Sequence, residues 1–256
     1  MKIVFLMAGE GRRFIGYQNV PKPLIKLCGV ELVKWAVNSY GLIGHLLDWQ
    51  DIYFITRLDH IKEFKMDKLL KEFFSAKVNI RYVEKITRGP AETALLVEKD
   101  IPKDEQVIIS DCDMFFNSLP LFVEMVKVKN DTSVWGILPY VRREDNQNSW
   151  SYVQLDKDNR VLKTNEKDVQ MFNAGSPGIV GAYTFNRWEY FTEEANKMIK
   201  EGDLSGEETK KEFYMSGVFK HIINAGHVVK GVNVYPSWIL GTPAQFGVFE
   251  SFLNKP

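Results

Sequence analysis

Residues 2–8 read Lys-Ile-Val-Phe-Leu-Met-Ala, an apolar run of strand length that breaks into Gly9-Glu10-Gly11-Arg12-Arg13-Phe14. Pro21-Lys22-Pro23-Leu24 follows. A buried strand, a glycine loop and then cations is the layout of a phosphate site. Glycine has no Cβ, so backbone N–H groups can come close to an anion. Arg13 and Lys22 stand where they can neutralise phosphate charge. The spacing fits neither Gly-x-x-x-x-Gly-Lys-Ser/Thr nor Gly-x-Gly-x-x-Gly, because Arg12-Arg13-Phe14 follows Gly11. Taken alone, two glycines fit a flexible basic loop better.

Any such site must be local. Lys plus Arg number 33 and Asp plus Glu number 33, so no bulk field draws nucleic acid or an anionic membrane. Two cysteines, Cys28 and Cys112, give neither a disulfide framework nor metal spacing. Free thiols point to a cytoplasmic protein. The apolar runs are strand-sized, too short for a membrane span, and the first is too short for a signal peptide. The 256 residues allow one large domain or two small ones, and a single domain with halves 1–130 and 131–256 is expected.

The first half alternates strands and helices. Strands are predicted at 2–8, 51–56, 78–83 and 106–110, and helices at 30–42, 59–74 and 90–98. That alternation implies parallel βα units, with helices on both faces of one sheet. Ligands in such sheets sit beyond the carboxyl ends of the strands, where Gly9–Arg13 and Asp111–Asp113 both fall. In the second half, strands are predicted at 132–139, 151–155, 160–164, 178–185 and 228–235. Helices are predicted at 187–201, 207–225 and 243–253, with a solvated polar loop at 142–148.

Asp111 and Asp113 end the fourth strand. Two carboxylates at i and i+2 can hold a hard divalent cation together with phosphate oxygens. Loop aspartates capping the next element explain the pair as well. Glu166-Lys167, read alone, is a solvated surface pair, and Arg88-Gly89-Pro90 is a plain helix start with proline in the first turn. His45, His60, His221 and His227 show no ligand spacing and read as structural or surface residues.

The string Leu6-x-Ala8-Gly9-x-Gly11-x-Arg13, followed by Pro21-Lys22-Pro23-Leu24, resembles the signature of the sugar-nucleotidyltransferases, or nucleotide-sugar pyrophosphorylases. The resemblance extends, with less specificity, over nearly the whole chain. It implies an α/β fold, Rossmann-like and GT-A-like, with a mixed, mainly parallel sheet and an acceptor-binding sub-region. It also implies nucleotide contacts at Leu6, Ala8, Gly9, Gly11, Arg13 and Gly89, with Arg13, Lys22 and Asp113 as the catalytic set. Mg²⁺ would be held by Asp113 directly and by Asp111 as a second or water-mediated ligand. Glu166 would hold the acceptor sugar, Lys167 its phosphate, and Gly181 would open the next family strand.

Two departures stand out. Trp150-Ser151-Tyr152-Val153 carries Ser151 where many members have glycine, which suggests a reshaped acceptor pocket. Trp238-Ile239-Leu240-Gly241-Thr242 resembles Trp-x-Asp-x-Gly-Thr, and the family's second metal aspartate is expected to fall on Leu240. Leucine cannot bind magnesium, so Glu212 is a candidate replacement.

The implied reaction joins a nucleoside triphosphate to a phosphomonoester, first a sugar 1-phosphate, with release of pyrophosphate. The alternatives are a cytidylyltransferase for a non-sugar phosphomonoester, a metal-dependent glycosyltransferase, and a non-catalytic regulatory module of the same fold. Neither nucleic acid nor a membrane is an expected partner, and homo-oligomerisation is left open.

Overall fold

The computed structural model describes residues 1–44, 47–142, 148, 150–207 and 210–253. His45 and most of the polar loop at 142–148 lie outside the described residues.

A ten-stranded sheet runs through the molecule. Lys2–Leu6 lies inside it, parallel to Ile52–Arg57 on one side and to Val107–Asp111 on the other. Asn79–Val83 extends the parallel part beyond Ile52–Arg57. Ala182–Phe185 then runs antiparallel between Val107–Asp111 and Val134–Val141. The hairpin of Ser151–Leu155 and Val161–Glu166 forms the far edge, joined through Gly178–Ile179. Val228–Asn233 adds a parallel pairing to Val134–Val141. The two halves of the chain therefore contribute to one continuous sheet.

The first strand is apolar on both faces because helices cover both. Val4 and Leu6 enter one core with Ile55, Ile109 and Phe219, while Ile3 and Phe5 enter the other with Phe54, Val33 and Met125. Each such side chain contributes roughly 1.5–3 kcal/mol when removed from water. A third, smaller core joins the front loop to the C-terminal helix Pro243–Leu253 through Phe14, Leu32, Leu240, Phe246 and Phe249.

Several predicted elements differ from the structure. The amphipathic stretch 59–74 forms two helices, Leu58–Phe64 and Met66–Phe73, because Lys65 between them is left-handed at φ 55°. The strand predicted at 178–185 is two strands, with the break at Val180 and Gly181. The helix predicted at 207–225 begins only at Met215; Ser205–Glu207 and Lys210–Glu212 pair instead as a small antiparallel ladder. The helix Leu119–Val128 and the ladder between Met114–Phe116 and Ser237–Ile239 carry no prediction. No described helix is long and apolar enough to cross a membrane.

Candidate active site

A cavity of about 330 Å³ opens at the carboxyl ends of the parallel strands. Its wall includes Leu6, Ala8, Gly9, Gly11, Arg13, Lys22, Gly89, Asp111, Asp113, Glu166 and Gly181. Lys167 is not part of that wall. Its backbone is left-handed at φ 48°, and its carbonyl accepts a 2.8 Å hydrogen bond from Asn148.

The front loop is shaped by Gly11, whose φ of 64° is left-handed. A Cβ there would lie 3.3 Å from the Lys22 Cβ, so a larger residue meets both backbone strain and crowding. Phe14 follows it into the third core and packs on Phe246, with ring centroids 5.4 Å apart. That anchor fixes the loop against the C-terminal helix. Lys22 pairs with the Asp113 carboxylate. Burial works against the Lys22 charge, but Asp113 outweighs it and holds the ammonium above its ordinary range.

The two aspartates occupy a tight space. The Asp111 N–H donates to the Gly181 carbonyl at 2.7 Å, and a Cβ on Gly181 would come within 2.8 Å of the Asp111 Oδ2. A Cβ on Gly241 would lie 2.9 Å from the Asp113 Oδ2 and 3.7 Å from the Arg13 guanidinium. Glycine at these two places makes room for the carboxylates. Desolvation, then repulsion from Asp113, pushes the Asp111 carboxyl up to about 7. Two carboxylates held together at a strand end, one of them that reluctant to ionise, are a donor set that a divalent cation would relieve. Among the described residues, no three His, Cys, Asp or Glu side chains converge on one metal position. Glu212 lines the cavity but adds no third ligand to this pair.

Leu240 is not the residue that faces this site. Its side chain is fully buried in the third core, and its N–H donates to the Asp113 carbonyl at 2.7 Å. Its neighbour Ile239, one step along the strand, lines the cavity. Successive strand residues point to opposite sides, so a one-residue change of register exchanges core and site.

The far end of the cavity is built differently. Glu166 ends the strand Val161–Glu166, and its Oε2 accepts from the hydroxyls of Ser151 and, at 3.4 Å, Ser216. Burial drives its carboxyl above the ordinary range, and the Ser151 hydroxyl only partly offsets this. Trp150, Tyr183 and Tyr214 also line the cavity. Elsewhere in the wall, Gly89 lies against the backbone of Phe213, where a Cβ would come within 2.5 Å of the amide nitrogen. The Phe213 N–H donates to the Arg88 carbonyl at 2.9 Å, and its carbonyl accepts from Ala91 at 3.0 Å. Lys210 and Gln245 line the wall without having been singled out in the sequence. The signal for Lys210 was hidden because 207–225 reads as one helix; Gln245 is set by its 3.0 Å contact with the Gly241 N–H.

Three solved structures share this architecture. A nucleoside-diphosphate-sugar pyrophosphorylase from Vibrio cholerae RC9 matches with a TM-score of 0.75 at 20% identity, over 99% of this chain and all of its own. The inositol-1-phosphate CTP transferase from T. maritima matches with a TM-score of 0.70 at 17% identity, over 99% of this chain and 96% of that one. The chain has the fold of these nucleotidyltransferases. A Bacillus anthracis protein assigned as a glucose-1-phosphate thymidylyltransferase, solved with sucrose, matches with a TM-score of 0.74 at 17% identity, over 100% of this chain and 96% of that one. No family model matches the chain, and no curated protein matches it. The cavity lies where the parallel strands present their carboxyl ends, the place where ligands bind in open α/β sheets.

Proposed function

We propose that the chain is a Mg²⁺-dependent nucleotidyltransferase that joins a nucleoside triphosphate to a phosphomonoester, first a sugar 1-phosphate, and releases pyrophosphate. One observation carries the reading. A single cavity is lined by a glycine loop with Arg13 and Lys22, a strand-end carboxylate pair, and Glu166, whose carboxylate accepts from two serine hydroxyls. The three nucleotidyltransferases of the same fold support it.

An ionised phosphomonoester is already a nucleophile near neutral pH, so no general base is required. Catalysis reduces to positioning and to neutralising charge. Arg13 binds the departing pyrophosphate. Lys22, paired with Asp113 in the absence of substrate, binds an α-phosphate oxygen. Asp111 and Asp113 would hold Mg²⁺. The ion supplies charge neutralisation on the phosphate oxygens. Leu6, Ala8, Gly9, Gly11 and Gly89 line the nucleotide, and Glu166 orients the acceptor beside Gly181. The thiols of Cys28 and Cys112, free and unpaired with each other, support a cytoplasmic setting.

A non-sugar acceptor is the second reading. The Ser151 hydroxyl occupies Glu166, which a sugar hydroxyl would otherwise reach, and one protein of this fold is named for inositol 1-phosphate. The test is a screen of four nucleoside triphosphates against a panel of sugar and non-sugar phosphomonoesters with Mg²⁺. Pyrophosphate release for one pair supports the proposal. Turnover of a finished nucleotide sugar without pyrophosphate would indicate a glycosyltransferase, and silence in every pair a binding module.

A further inference from the structure

The helix Leu119–Val128 turns Leu121, Phe122, Met125 and Val128 into the second core. Its outer face is apolar as well. Leu119 is 59% exposed, Val123 46% and Val126 76%. Their spacing of i, i+4 and i+7 puts them in one row. By contrast, the helix Trp188–Glu201 exposes Glu193, Lys197 and Lys200, and Met66–Phe73 exposes Lys68, Lys71 and Glu72. Apolar residues exposed singly are ordinary, but a row along one helix is the pattern of a packing seam. Tyr235, 67% exposed, adjoins the N-terminal end of the row, since its neighbour Pro236 accepts from the Asn117 N–H at 3.1 Å.

The row stands on a fixed support. At its start the Ser118 hydroxyl donates to the Ser39 carbonyl at 2.6 Å. At its end the Asn186 side-chain amide donates to the carbonyls of Val128 at 2.9 Å and Asp131 at 3.0 Å. Between them the Gln106 side-chain amide donates to the Met125 carbonyl at 3.1 Å. A partner therefore meets a preformed surface, at little cost in ordering.

We propose that this row is the contact between two copies of the chain, packed with their 119–128 helices antiparallel about a two-fold axis. The flanking charges favour a second copy over any other occupant. Glu124 and Lys127 lie along one edge of the row and pair with each other at 3.1 Å. A two-fold axis across the middle of the helix reverses its direction and sets that edge against itself. Glu124 of each copy then faces Lys127 of the other, so the surface is complementary to itself. Leu119–Val128 carries one charge of each sign, which gives neither an anionic membrane nor nucleic acid a reason to dock. Valines at the centre allow the two helix axes to approach to about 8–10 Å. Ten residues span only about 15 Å, so the contact is smaller than a standard interface and the dimer is weak, with Kd on the order of micromolar.

Sedimentation velocity on the full chain, over about 1–500 µM, tests this. The wild-type mass is expected to rise from one copy to two across that range. Val126→Glu puts an unpaired carboxylate into the contact and is expected to stay monomeric throughout. Its position is exposed, so its Tm should match wild type. Glu124→Lys and Lys127→Glu each set like charges across the axis and should weaken association at least about fivefold. The double exchange of both residues restores opposite charges and should recover the wild-type midpoint. A monomer at every concentration overturns the proposal. A dimer that Val126→Glu leaves intact also overturns it, since the contact would then lie elsewhere. A double exchange no better than either single one overturns the antiparallel pairing.

Discussion

The two ends of the cavity solve different problems. The glycine-loop end uses backbone shape and fixed charge: Gly11 in a left-handed turn, Arg13, and Lys22 locked to Asp113. The proposed acceptor end uses side chains with individual chemistry, a Glu166 carboxylate that accepts from two serines, with Trp150, Tyr183 and Tyr214 in the same wall. A triphosphate is the same in every nucleotide, so cations and glycines suffice to hold it. An acceptor must be told apart from its neighbours, which requires polar groups whose loss leaves a partner unsatisfied. Changes at the first end should therefore abolish turnover for every substrate, and changes at the second should alter which substrate is used.

The largest effect is expected at the glycine-loop end. Arg13→Ala and Lys22→Ala each remove a cation from the developing phosphate charge, and turnover should fall at least about a hundredfold for all acceptors. Steady-state kinetics on folded variants checks this. Near-normal rates in either would remove that residue from the phosphate site.

Metal removal comes next. EDTA should abolish activity, and Asp113→Ala should reduce it more than Asp111→Ala, because Asp113 is the proposed direct ligand and also pairs with Lys22. Activity restored by added Mg²⁺ in wild type, with the two variants in the reverse order, would make Asp111 the direct ligand.

A third pair of variants separates the site from its support. Leu240→Asp places a carboxylate in the core with Phe14, Phe246 and Phe249, and should destabilise the fold by about 3–5 kcal/mol. That lowers Tm by roughly 10 °C. Ile239→Asp points into the cavity instead. It should fold near the wild-type Tm and tighten nucleotide-free Mg²⁺ binding. Calorimetry that finds tighter binding in Leu240→Asp and none in Ile239→Asp would reverse the two assignments.

These cases show what the sequence made legible. The front loop could be placed at the cavity because two glycines and two separated cations after a strand are residue types with few other uses. The sheet could be read because Ile3 to Leu6 is apolar on both faces. The ladder of Ser205–Glu207 with Lys210–Glu212 could not, since Glu207 and Lys210 to Glu212 are good helix formers overruled by the pairing of Phe213 with Arg88 and Ala91. Ile239 was overlooked for a sharper reason. Strand alternation makes a one-residue offset the difference between the cavity wall and a core, and spacing from Trp238 alone does not set the register.

The smallest effect concerns acid. In metal-free protein, Asp111 carries its proton up to about pH 7 when folded, against 3.8 ordinarily. Between those values the folded state binds more protons than the unfolded one, so this group lowers stability as pH rises through the window. Asp111→Asn removes that slope. Urea midpoints measured in EDTA at pH 5 and pH 7.5 should show the variant gaining on wild type at the higher pH. An equal difference at both pH values would contradict the burial of an uncompensated carboxyl.

The central claim is that a phosphomonoester attacks the α-phosphorus of a triphosphate within this one cavity. It is tested most directly by following label from α-³²P- and γ-³²P-nucleoside triphosphate in parallel, with the active acceptor and Mg²⁺. The expected result is α-label in a nucleotide joined to the acceptor and γ-label in pyrophosphate. Label from the γ-position in the acceptor, with nucleoside diphosphate left behind, would contradict it.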